Sequence, residues 1–455
     1  MSLQTKTIVP SRYITFTIPN PSIHHHYNAS RLRIAVLDSS SPSGRTKFGV
    51  MVVPVGLESD WVYSTFEGHL QILLCHTDFY RLVLIGNSPN PINPTSHSPV
   101  INPKDQSVIQ RAFIRLLNDE LKPSNQSSTV WFSTRVDMVI RSLVLGRFFG
   151  KIIGEMLIED VEWKLENGVG TEFRRRMRFR KSPYLFETYM KIQPNKTDFV
   201  NMEDVEFQIV DDGVLRPPYL TPMVAGLRVN HLLLNRKIQK GIKPTALCLG
   251  VGTGALVAFL NSQLGFKVLG IETDSIVLDA AKNYFGFESS NNSRLCTGHP
   301  LKMAEKFATQ VETDGFHGYI LDNGECLNEF DDKFDLVISD LEAANPSVVM
   351  KSPSAEILQK SMLMNIKKLL GVNGVLILDV TIPRERYYDE VITPVMEVFG
   401  EMYEIDVENE KYSVVIAASE TEFGAFDPSE SEFLKTLKKV TGSFPEAVKP
   451  VSKKR

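Results

Sequence analysis

The chain has 455 residues, of which 43% are hydrophobic and 23% are charged, and its formal net charge at pH 7 is -4. This composition is that of an ordinary globular protein and excludes collagen-like, coiled-coil and wholly disordered chains. The balance of 50 basic and 54 acidic residues argues against a protein that coats nucleic acid. No uninterrupted apolar run reaches about 18 residues, so no membrane span is predicted.

The cysteines indicate a reducing compartment. None of the four has the spacing of a zinc site or a redox motif, so no metal site is expected: Cys75, Cys248, Cys296 and Cys326. Four isolated thiols in so long a chain are not a disulfide framework, and we expect a cytoplasmic protein. The first residues lack the apolar core of a secretory signal. The first acidic residue is Asp38, which leaves a transit peptide open, although the run 13–19 already alternates like a folded strand.

Residues 1–204 are predicted to form a smaller, β-rich α+β domain. Five prolines near 89–103 predict a loop. Apolar residues at helical spacing from Val108 to Leu117 predict one amphipathic helix. Short alternating or β-branched runs predict strands at 13–19, 31–37, 48–55 and 79–85.

One of these strands carries an unusual charge pattern. Residues 173–180 read FRRRMRFR, so a strand would turn Phe173, Met177 and Phe179 to one face and four arginines to the other. Two interpretations are open. The arginines form a solvated basic face, or they form a docking face that helps hold an acidic protein partner.

From residue 205 the pattern changes to alternating strands and helices, which predicts a doubly wound parallel sheet over 205–425. A helix is expected to start at Thr221-Pro222, with Thr as its cap. Residues 426–455 are assigned to a further helix and a basic tail. Strands are predicted at 245–250, 267–271, 317–321, 334–339, 374–380 and 413–418, and helices near 254–264, 275–285, 301–310, 354–370 and 429–440.

The strongest chemical pattern is ALCLGVGTGALVAFL, residues 246–260. An apolar strand leads into Gly250, Gly252 and Gly254 and then into a helix. Glycines permit a tight turn and let a ligand approach the main chain closely. The next strand ends in Glu272, 22 residues after Gly250, where an acid can accept hydrogen bonds from both hydroxyls of a ribose. Together these features predict a nucleoside site.

The spacing of the glycines narrows the kind of nucleoside. The dinucleotide pattern requires glycine at 255 or 257, where the chain has Ala255 and Val257. The Gly-x-Gly-x-Gly form is instead that of class I S-adenosylmethionine-dependent transferases. No lysine of the Walker type follows the turn.

A second candidate segment, FDLVISDLEAANP, runs from Phe334 to Pro346. Its apolar strand delivers Asp340 and Glu342 to the carboxyl edge of the sheet, where open α/β sheets hold their ligands. An amine must lose a proton before it attacks a methyl carbon, and a neighbouring carboxylate can take that proton. Asp340 and Glu342 are therefore the candidate catalytic residues.

Several stretches are typical of one family: MVVPVGLESDWVYSTFEGHLQIL, EMLIEDVEW with the arginine-rich strand, MVAGL, the glycine turn, IETD, YFGF and SDLEAANP. On them the chain resembles the methyltransferase-like protein 13 family, in the spermidine-synthase-like branch of class I methyltransferases, over about residues 10–420. The resemblance is to the C-terminal half, which methylates the N-terminal amine of elongation factor 1-alpha. The other half modifies a lysine and has no counterpart here, because the chain has one glycine-rich nucleoside turn.

The resemblance implies an α/β fold with a Rossmann-like class I methyltransferase sheet, and S-adenosylmethionine as cofactor. It implies that the three glycines pack against the methionine part, that Glu272 holds the ribose and that Asp340 sits at the reacting end. His299, in Gly298-His299-Pro300, stands where the family has an acid that contacts adenine, and it takes that place as a cofactor-binding candidate.

The chain departs from the family pattern at three further positions. Cys248 replaces an acid before the glycine turn, Leu220 replaces a histidine after Tyr219, and Asn345 precedes Pro346 where polyamine synthases have an acid. These departures keep three hypotheses open.

The leading hypothesis is an S-adenosylmethionine-dependent methyltransferase that modifies an amine of a protein, by resemblance the N-terminus of elongation factor 1-alpha. Its partner is then a protein substrate, not nucleic acid or a membrane, and a homodimer is left open. The second hypothesis is a polyamine aminopropyltransferase, which needs several acids to bind a polycationic amine, so that Asn345 counts against it. The third is a non-catalytic partner protein with a degenerate methyltransferase site.

Overall fold

The computed structural model describes residues 7–20, 31–54, 56–89, 111, 113–114, 117, 121–122, 128–134, 138–165, 169–184, 187–313, 315–341, 352–381, 384–407, 412–418 and 430–451. Contacts divide the chain into two compact units. The first comprises Met1–Phe148, Gly154–Glu187 and Lys191–Gln208, and the second Phe149–Ile153, Thr188–Met190 and Ile209–Arg455. Within the described ranges, no helix combines the length and apolar character that crossing a membrane requires.

The first unit contains a five-stranded sheet in the order β1-β2-β4-β3-β5. Its strands are β1 (Tyr13–Pro19), β2 (Arg31–Asp38), β3 (Lys47–Val52), β4 (Phe79–Gly86) and β5 (Ser128–Trp131), with helices α1 (Trp61–Ser64) and α2 (Phe66–Cys75). Alternate residues of the central strands enter two apolar clusters, one on each face of the sheet. The four strands predicted in this part of the sequence are confirmed.

The predicted amphipathic helix and the proline-rich loop fall largely outside the described residues. Of the predicted apolar stripe, Phe113 and Leu117 are described, and both are fully buried in the cluster that covers one face of the sheet. Their burial agrees with the side of the helix that the spacing assigned to the core.

A second five-stranded sheet follows, in the order β10-β9-β8-β7-β6. Its strands are β6 (Val139–Gly150), β7 (Gly154–Lys164), β8 (Thr171–Phe179), β9 (Glu187–Pro194) and β10 (Phe207–Ile209), and a short 3-10 turn spans Met202–Asp204. Phe173 of β8 packs against Phe199 and Phe207, with ring centroids 5.8 and 5.2 Å away. The aromatic face of β8 is therefore a packing face.

The arginines of β8 form internal ion pairs, which corrects both sequence interpretations. The antiparallel register of β7 and β8 places Glu159 opposite Arg176 and Asp160 opposite Arg175. Arg176 Nε lies 2.9 Å from Glu159 Oε1, and Arg178 Nε lies 2.7 Å from the same oxygen. Arg176 and Arg178 are only 2% and 3% exposed. These arginines form neither a solvated basic face nor a free docking face.

Asp60 extends this ion-pair network to helix α1. Its carboxylate accepts a hydrogen bond from Val62 N at 2.9 Å, which caps the helix, and lies 2.8 Å from Arg178 Nη2. Burial acts to raise the pKa of Asp60, but Arg178 and Arg176 outweigh burial and hold the pKa below its ordinary value. Asp60 is thus an ionised, paired carboxylate.

Among the described residues, the second unit has an eight-stranded sheet in the order β13-β12-β11-β16-β17-β19-β18-β20. The strands from β13 to β17 in this order pair in parallel, and β19, β18 and β20 add antiparallel pairs. The predicted α/β fold with a doubly wound, Rossmann-like parallel sheet is confirmed. The strands are β11 (Thr245–Leu249), β12 (Lys267–Glu272), β13 (Ser293–Thr297), β16 (Phe334–Ser339), β17 (Leu370–Val380), β18 (Glu401–Val407), β19 (Tyr412–Ala418) and β20 (Lys449–Pro450).

Helices cover both faces of this sheet. They are α3 (Leu220–Ala225), α4 (His231–Gln239), α5 (Ala255–Leu264), α6 (Ser275–Tyr284), α7 (Pro300–Gln310), α8 (Lys360–Leu369), α9 (Arg384–Tyr387), α10 (Thr393–Val398) and α11 (Glu432–Thr441), with 3-10 turns Gly226–Asn230 and Phe444–Ala447 and a π-helical turn Tyr388–Ile392. Residues of α7, α8 and α10 pack on one face, and residues of α3, α4, α5 and α11 on the other.

Three local predictions differ from the structure. Helix α3 begins at Leu220 with Tyr219 at its cap position, so Thr221 is not the cap. The strand predicted at 317–321 shrinks to β14 (Tyr319–Ile320), which pairs with β15 (Cys326–Leu327) outside the main sheet. Helix α8 begins at Lys360, later than the predicted 354.

The last described segment belongs to the second unit. Phe433, Leu434 and Leu437 of α11 are buried in the apolar cluster that contains the sheet strands. The short strand β20 pairs with β18 through Lys449 and Pro450. The sequence grouped 426–455 as a separate helix and tail, whereas its described part, 430–451, contributes to the core and the edge of the sheet.

Candidate functional site

The glycine turn lies between β11 and α5, at the carboxyl edge of the parallel strands. Gly250, Gly252 and Gly254 have φ angles of 89°, 55° and 80°, a region that side chains with a Cβ rarely adopt. A Cβ at Gly250 would lie 2.6 Å from Asp340 O, and a Cβ at Gly254 would lie 2.8 Å from the Phe287 ring. At Gly252 the nearest atoms, of Thr188, are 3.8 Å away. A Cβ at Gly252 would therefore fit in ordinary contact with Thr188, whereas a Cβ at either of the other two glycines would clash with its neighbours.

Glu272 ends β12 and points back onto the glycine turn. Its Oε2 accepts hydrogen bonds from Val251 N at 3.1 Å and Gly252 N at 3.4 Å, and its Oε1 accepts one from Thr273 N at 2.8 Å. Burial raises the pKa of Glu272 although these backbone hydrogen bonds act to lower it. The acid is thereby fixed beside the turn, and its role in holding a ribose stays a prediction.

Asp340 follows β16 directly and lies next to the same turn. Its backbone N donates to Leu249 O at 2.9 Å, which continues the parallel pairing of β11 and β16 beyond the strands. The hydroxyl of Tyr219 donates to Asp340 Oδ2 at 3.0 Å. Burial raises the pKa of Asp340 to about 6, with Tyr219 acting to lower it and Glu272 to raise it. A carboxyl with this pKa is suited to accept a proton near neutral pH.

His299 lies one strand further along the edge, after β13. Gly298 N donates to Glu272 O at 2.9 Å, so the segment before His299 is held against the end of β12. His299 occupies the cap position of α7 without a side-chain capping hydrogen bond, and it is exposed. The structure therefore brings the glycine turn, Glu272 and Asp340 together, with His299 at the neighbouring strand end. Glu342 lies outside the described residues.

The sequence analysis did not assign a role to two residues of this site, Asp379 and Tyr219. Asp379 is near the end of β17, the strand beside β16, and is 6% exposed. The hydroxyl of Ser352 bonds to its carboxylate. Tyr219 was noted only for the residue that follows it, although it supplies the hydrogen bond to Asp340. An acid inside the apolar run VLILDV was the available sequence signal for Asp379.

The departures from the family pattern have structural correlates. Cys248 is fully buried in β11, and burial, then the neighbouring Asp340, raises the pKa of its thiol. A thiol of this kind is a packing residue, not a nucleophile. Leu220 is buried in the apolar cluster under α3. Asn345 lies outside the described residues.

No protein-family model matches the chain. By sequence it is 24% identical over 397 residues to the "eEF1A lysine and N-terminal methyltransferase homolog" of Drosophila pseudoobscura pseudoobscura, covering 87% of this chain and 52% of the relative. It is 24% identical over 422 residues to the "eEF1A lysine and N-terminal methyltransferase" of Xenopus laevis, covering 88% of this chain and 56% of the relative. The chain spans about half the length of these relatives.

A shorter match is the polyamine aminopropyltransferase of Vibrio vulnificus, 26% identical over 216 residues, which covers 47% of this chain and 60% of that protein. Among solved structures, human methyltransferase-like protein 13 in complex with SAH aligns with 22% identity and a TM-score of 0.39, covering 48% of this chain and 90% of that chain. Over most of its length, the chain is a sequence relative of the eEF1A lysine and N-terminal methyltransferases.

Proposed function

We propose that the chain is an S-adenosylmethionine-dependent methyltransferase that transfers a methyl group to an amine of a protein. The observation that carries the proposal is the position of Asp340, held by Tyr219 beside the Gly250 turn and opposite Glu272 on the same sheet edge. The relatives named for eEF1A methylation support an amine of that factor as the target. We propose its N-terminal amine, because the chain has one glycine-rich nucleoside turn.

The residues present fit such a cofactor. The atoms nearest to a Cβ at Gly252 are 3.8 Å away, so the main chain of the turn is less crowded there than at Gly250 and Gly254. The hydroxyl of Thr253 in the same turn is buried and has no hydrogen-bond partner among the described residues, which leaves a polar group free for a ligand. Glu272 and Asp340 are half-buried carboxyls whose pKa values are raised by burial, and two such acids favour a ligand that carries positive charge.

The bound cofactor would supply an electrophilic methyl carbon on a positively charged sulfur. The chain's own residues then have three tasks. Glu272 holds the ribose through the acceptor positions that the turn leaves free. Asp340 binds the substrate ammonium and takes one of its protons, which frees the nitrogen lone pair. An α-ammonium with a pKa near 8 gives up that proton more readily than a lysine with a pKa near 10.4. Tyr219 fixes the orientation of the Asp340 carboxyl.

The second candidate function is transfer of an aminopropyl group to a polyamine. The match to a polyamine aminopropyltransferase and the carboxyls at the sheet edge favour it. That reaction requires several acids to bind a chain of ammonium groups. Asn345 stands where the polyamine synthases have one of them, which supports protein methylation instead.

We further propose that the protein acts in the cytoplasm on a protein substrate, with a homodimer left as one possible assembly. Cys248, Cys296 and Cys326 are free thiols, which agrees with a reducing compartment.

The test is transfer of labelled methyl from S-adenosylmethionine to purified eEF1A. We expect label in eEF1A with a free N-terminus and none in eEF1A whose N-terminus is acetylated. Decarboxylated S-adenosylmethionine with putrescine tests the second function in parallel. Label in spermidine with none in eEF1A would replace the first proposal by the second, and no transfer in either assay would contradict both.

A pair of glycine variants tests the turn itself. Gly252→Arg adds a long, charged side chain to the turn at a positive φ of 55° and should abolish cofactor binding measured by calorimetry. Gly241→Arg is the matched control, because Gly241 also has a positive φ, 73°, and a Cβ there would meet nothing within 4 Å. Equal binding by the two variants would contradict the assignment of the turn.

A further inference from the structure

Two carboxyls lie side by side at the site. In the parallel pairing of β16 and β17, Ser339 is opposite Leu378, so the next register step sets Asp340 beside Asp379. Neighbouring strands are about 4.8 Å apart. Ile338 and Ile377 share one apolar cluster, and side chains alternate along a strand, so Asp340 and Asp379 project toward that same face. Two carboxylates in such a position cannot both be charged without a large repulsion.

The hydrogen bonds of Ser352 identify where a proton can reside. Its Oγ lies 3.2 Å from the carbonyl oxygen of Asp379 and also bonds to Asp379 Oδ1. A serine hydroxyl has one hydrogen, so it cannot donate fully to both oxygens. If the Asp379 carboxyl is protonated, it donates to Ser352 Oγ, and Ser352 donates to the carbonyl. Both contacts are then satisfied in a buried environment.

The surrounding charges point in the same direction. Burial, then the neighbouring Asp340, raises the pKa of Asp379 to about 8, with Ser352 acting to lower it. Among the described residues, the titratable groups that act on Asp340 from the adjacent elements are Tyr219, Glu272 and the buried thiol of Cys248. The charges that act on the pair from these elements are therefore carboxylates, which favour the neutral form of one member.

We propose that Asp379 is a positioning residue that holds a proton at neutral pH, bonded to Ser352, so that Asp340 alone is ionised in the pair. The proposal deepens the proposed methyl transfer and rests on it for the role of Asp340. When Asp379 is neutral, no negative charge on its carboxyl repels the carboxylate of Asp340. Asp340 then exists as the carboxylate that takes a proton from the substrate ammonium, becoming the neutral acid while the amine becomes neutral. The proton of Asp379 does not move in this step.

The first experiment detects the proton itself and needs neither cofactor nor activity. Infrared difference spectra between the wild type and Asp379→Asn at pH 7 should contain the carbonyl-stretch band of a protonated carboxylic acid. Asp340→Asn is the matched control and should keep this band. In the wild type the band should disappear as the pH is raised well past about 8. No band in the wild type at pH 7, or a band lost only in Asp340→Asn, would overturn the proposal.

The second experiment separates a neutral positioning role from an ionic one. Asn resembles a protonated carboxyl in shape and charge, so Asp379→Asn should keep kcat/KM within about threefold at pH 7 and leave the acid limb of its pH profile, near pH 6, in place. Asp379→Leu, which cannot bond to Ser352, should lose at least tenfold. If Asp379 were ionised, Asp379→Asn would move the acid limb to lower pH, and that shift would refute the proposal.

The two proposals fail separately. A protein that shows the infrared band but transfers no methyl group keeps the protonated Asp379 and rejects the proposed function. A protein that transfers the methyl group but lacks the infrared band keeps the proposed function and rejects the protonated Asp379. If Asp379→Asn does not fold, the pH titration of the wild-type band and the Asp340→Asn control still decide the matter.

Discussion

The two units bury carboxyl groups in opposite ways. In the first unit, Glu159 and Asp60 each lie within hydrogen-bond distance of buried arginines, and Asp60 has a pKa below its ordinary value. In the second unit, Asp340 and Asp379 lie beside one another at the sheet edge, and burial raises the pKa of both. The first arrangement stabilises charge that the fold has enclosed. The second leaves negative charge uncompensated where a ligand can approach.

The difference indicates which buried acids are structural and which are candidates for chemistry. An acid whose charge is matched by an arginine contributes to the stability of the fold, because its removal leaves a buried positive charge uncompensated. An acid whose charge is unmatched costs stability in the free protein and is retained for what it binds. Asp160 is an intermediate case. Arg175 Nε lies 2.7 Å from Asp160 Oδ1, yet burial still raises the pKa of Asp160.

The largest expected effect is on the unmatched acid Asp340. Asp340→Asn keeps the shape and can still accept the hydrogen bond from Tyr219, but it cannot take a proton. We expect a methyl-transfer rate lower by roughly 10²–10⁴, with cofactor affinity nearly unchanged. The measurement is a single-turnover assay at pH 7. Asp331→Asn, an exposed acid just before β16, is the control. Wild-type turnover by Asp340→Asn would remove this residue from catalysis and make Glu342 the next candidate.

The matched acid Glu159 should behave in the opposite manner. Glu159→Gln removes the carboxylate charge that lies 2.9 Å from Arg176 Nε in a buried site, so the free energy of unfolding of the first unit should fall by roughly 3–5 kcal/mol. Urea unfolding followed by tryptophan fluorescence reports on this unit, because Trp61, Trp131 and Trp163 all lie in it. A loss below 1 kcal/mol would show that the ion pair between Glu159 and Arg176 does not stabilise the first unit.

The next largest effect is expected on cofactor binding, at Glu272. Glu272→Ala removes a charged acceptor from a half-buried site, so cofactor binding should weaken by roughly 1–3 kcal/mol. Isothermal titration calorimetry with S-adenosylmethionine measures the change. Glu288→Ala provides a comparable change at an exposed acid of the same unit. An unchanged dissociation constant for Glu272→Ala would assign the residue to holding the glycine turn only.

The smallest effect is expected at an exposed pair of the first unit. Lys47 Nζ lies 2.5 Å from Asp78 Oδ2, but both side chains are about half exposed. Asp78→Asn should change the free energy of unfolding by less than about 1 kcal/mol, and less still at high salt. Unfolding in urea at low and high ionic strength checks this. A loss as large as that of Glu159→Gln would contradict burial as the factor that separates the two pairs.

Local patterns were sufficient to predict much of the second unit. The glycine turn, Glu272 and Asp340 could be found because a buried strand followed by a polar residue marks the carboxyl edge of a parallel sheet. Strands β13 and β18 were missed. β13 is a short edge strand with the polar sequence SRLCT, and β18 alternates acids with apolar residues. Neither presents the continuous apolar run of a central strand.

Contacts between distant parts of the chain could not be predicted in the same way. The arginine strand was read as exposed because its acidic partners lie opposite it only once the register of β7 and β8 is known. Tyr219 meets Asp340 from 121 residues away. The pairing of Asp340 with Asp379 depends on which two strands are neighbours, and that order is a property of the whole sheet.

Strand β20 has a consequence for self-association. It covers the outer side of β18 with Lys449 and Pro450, and a proline has no backbone N–H to donate to a further strand. A lysine followed by a proline at a sheet margin discourages edge-to-edge addition. The eight-stranded sheet is therefore terminated on this side by the chain's own residues. A strand of a second copy that paired with the covered part of β18, at Tyr403 and Glu404, would have to displace β20.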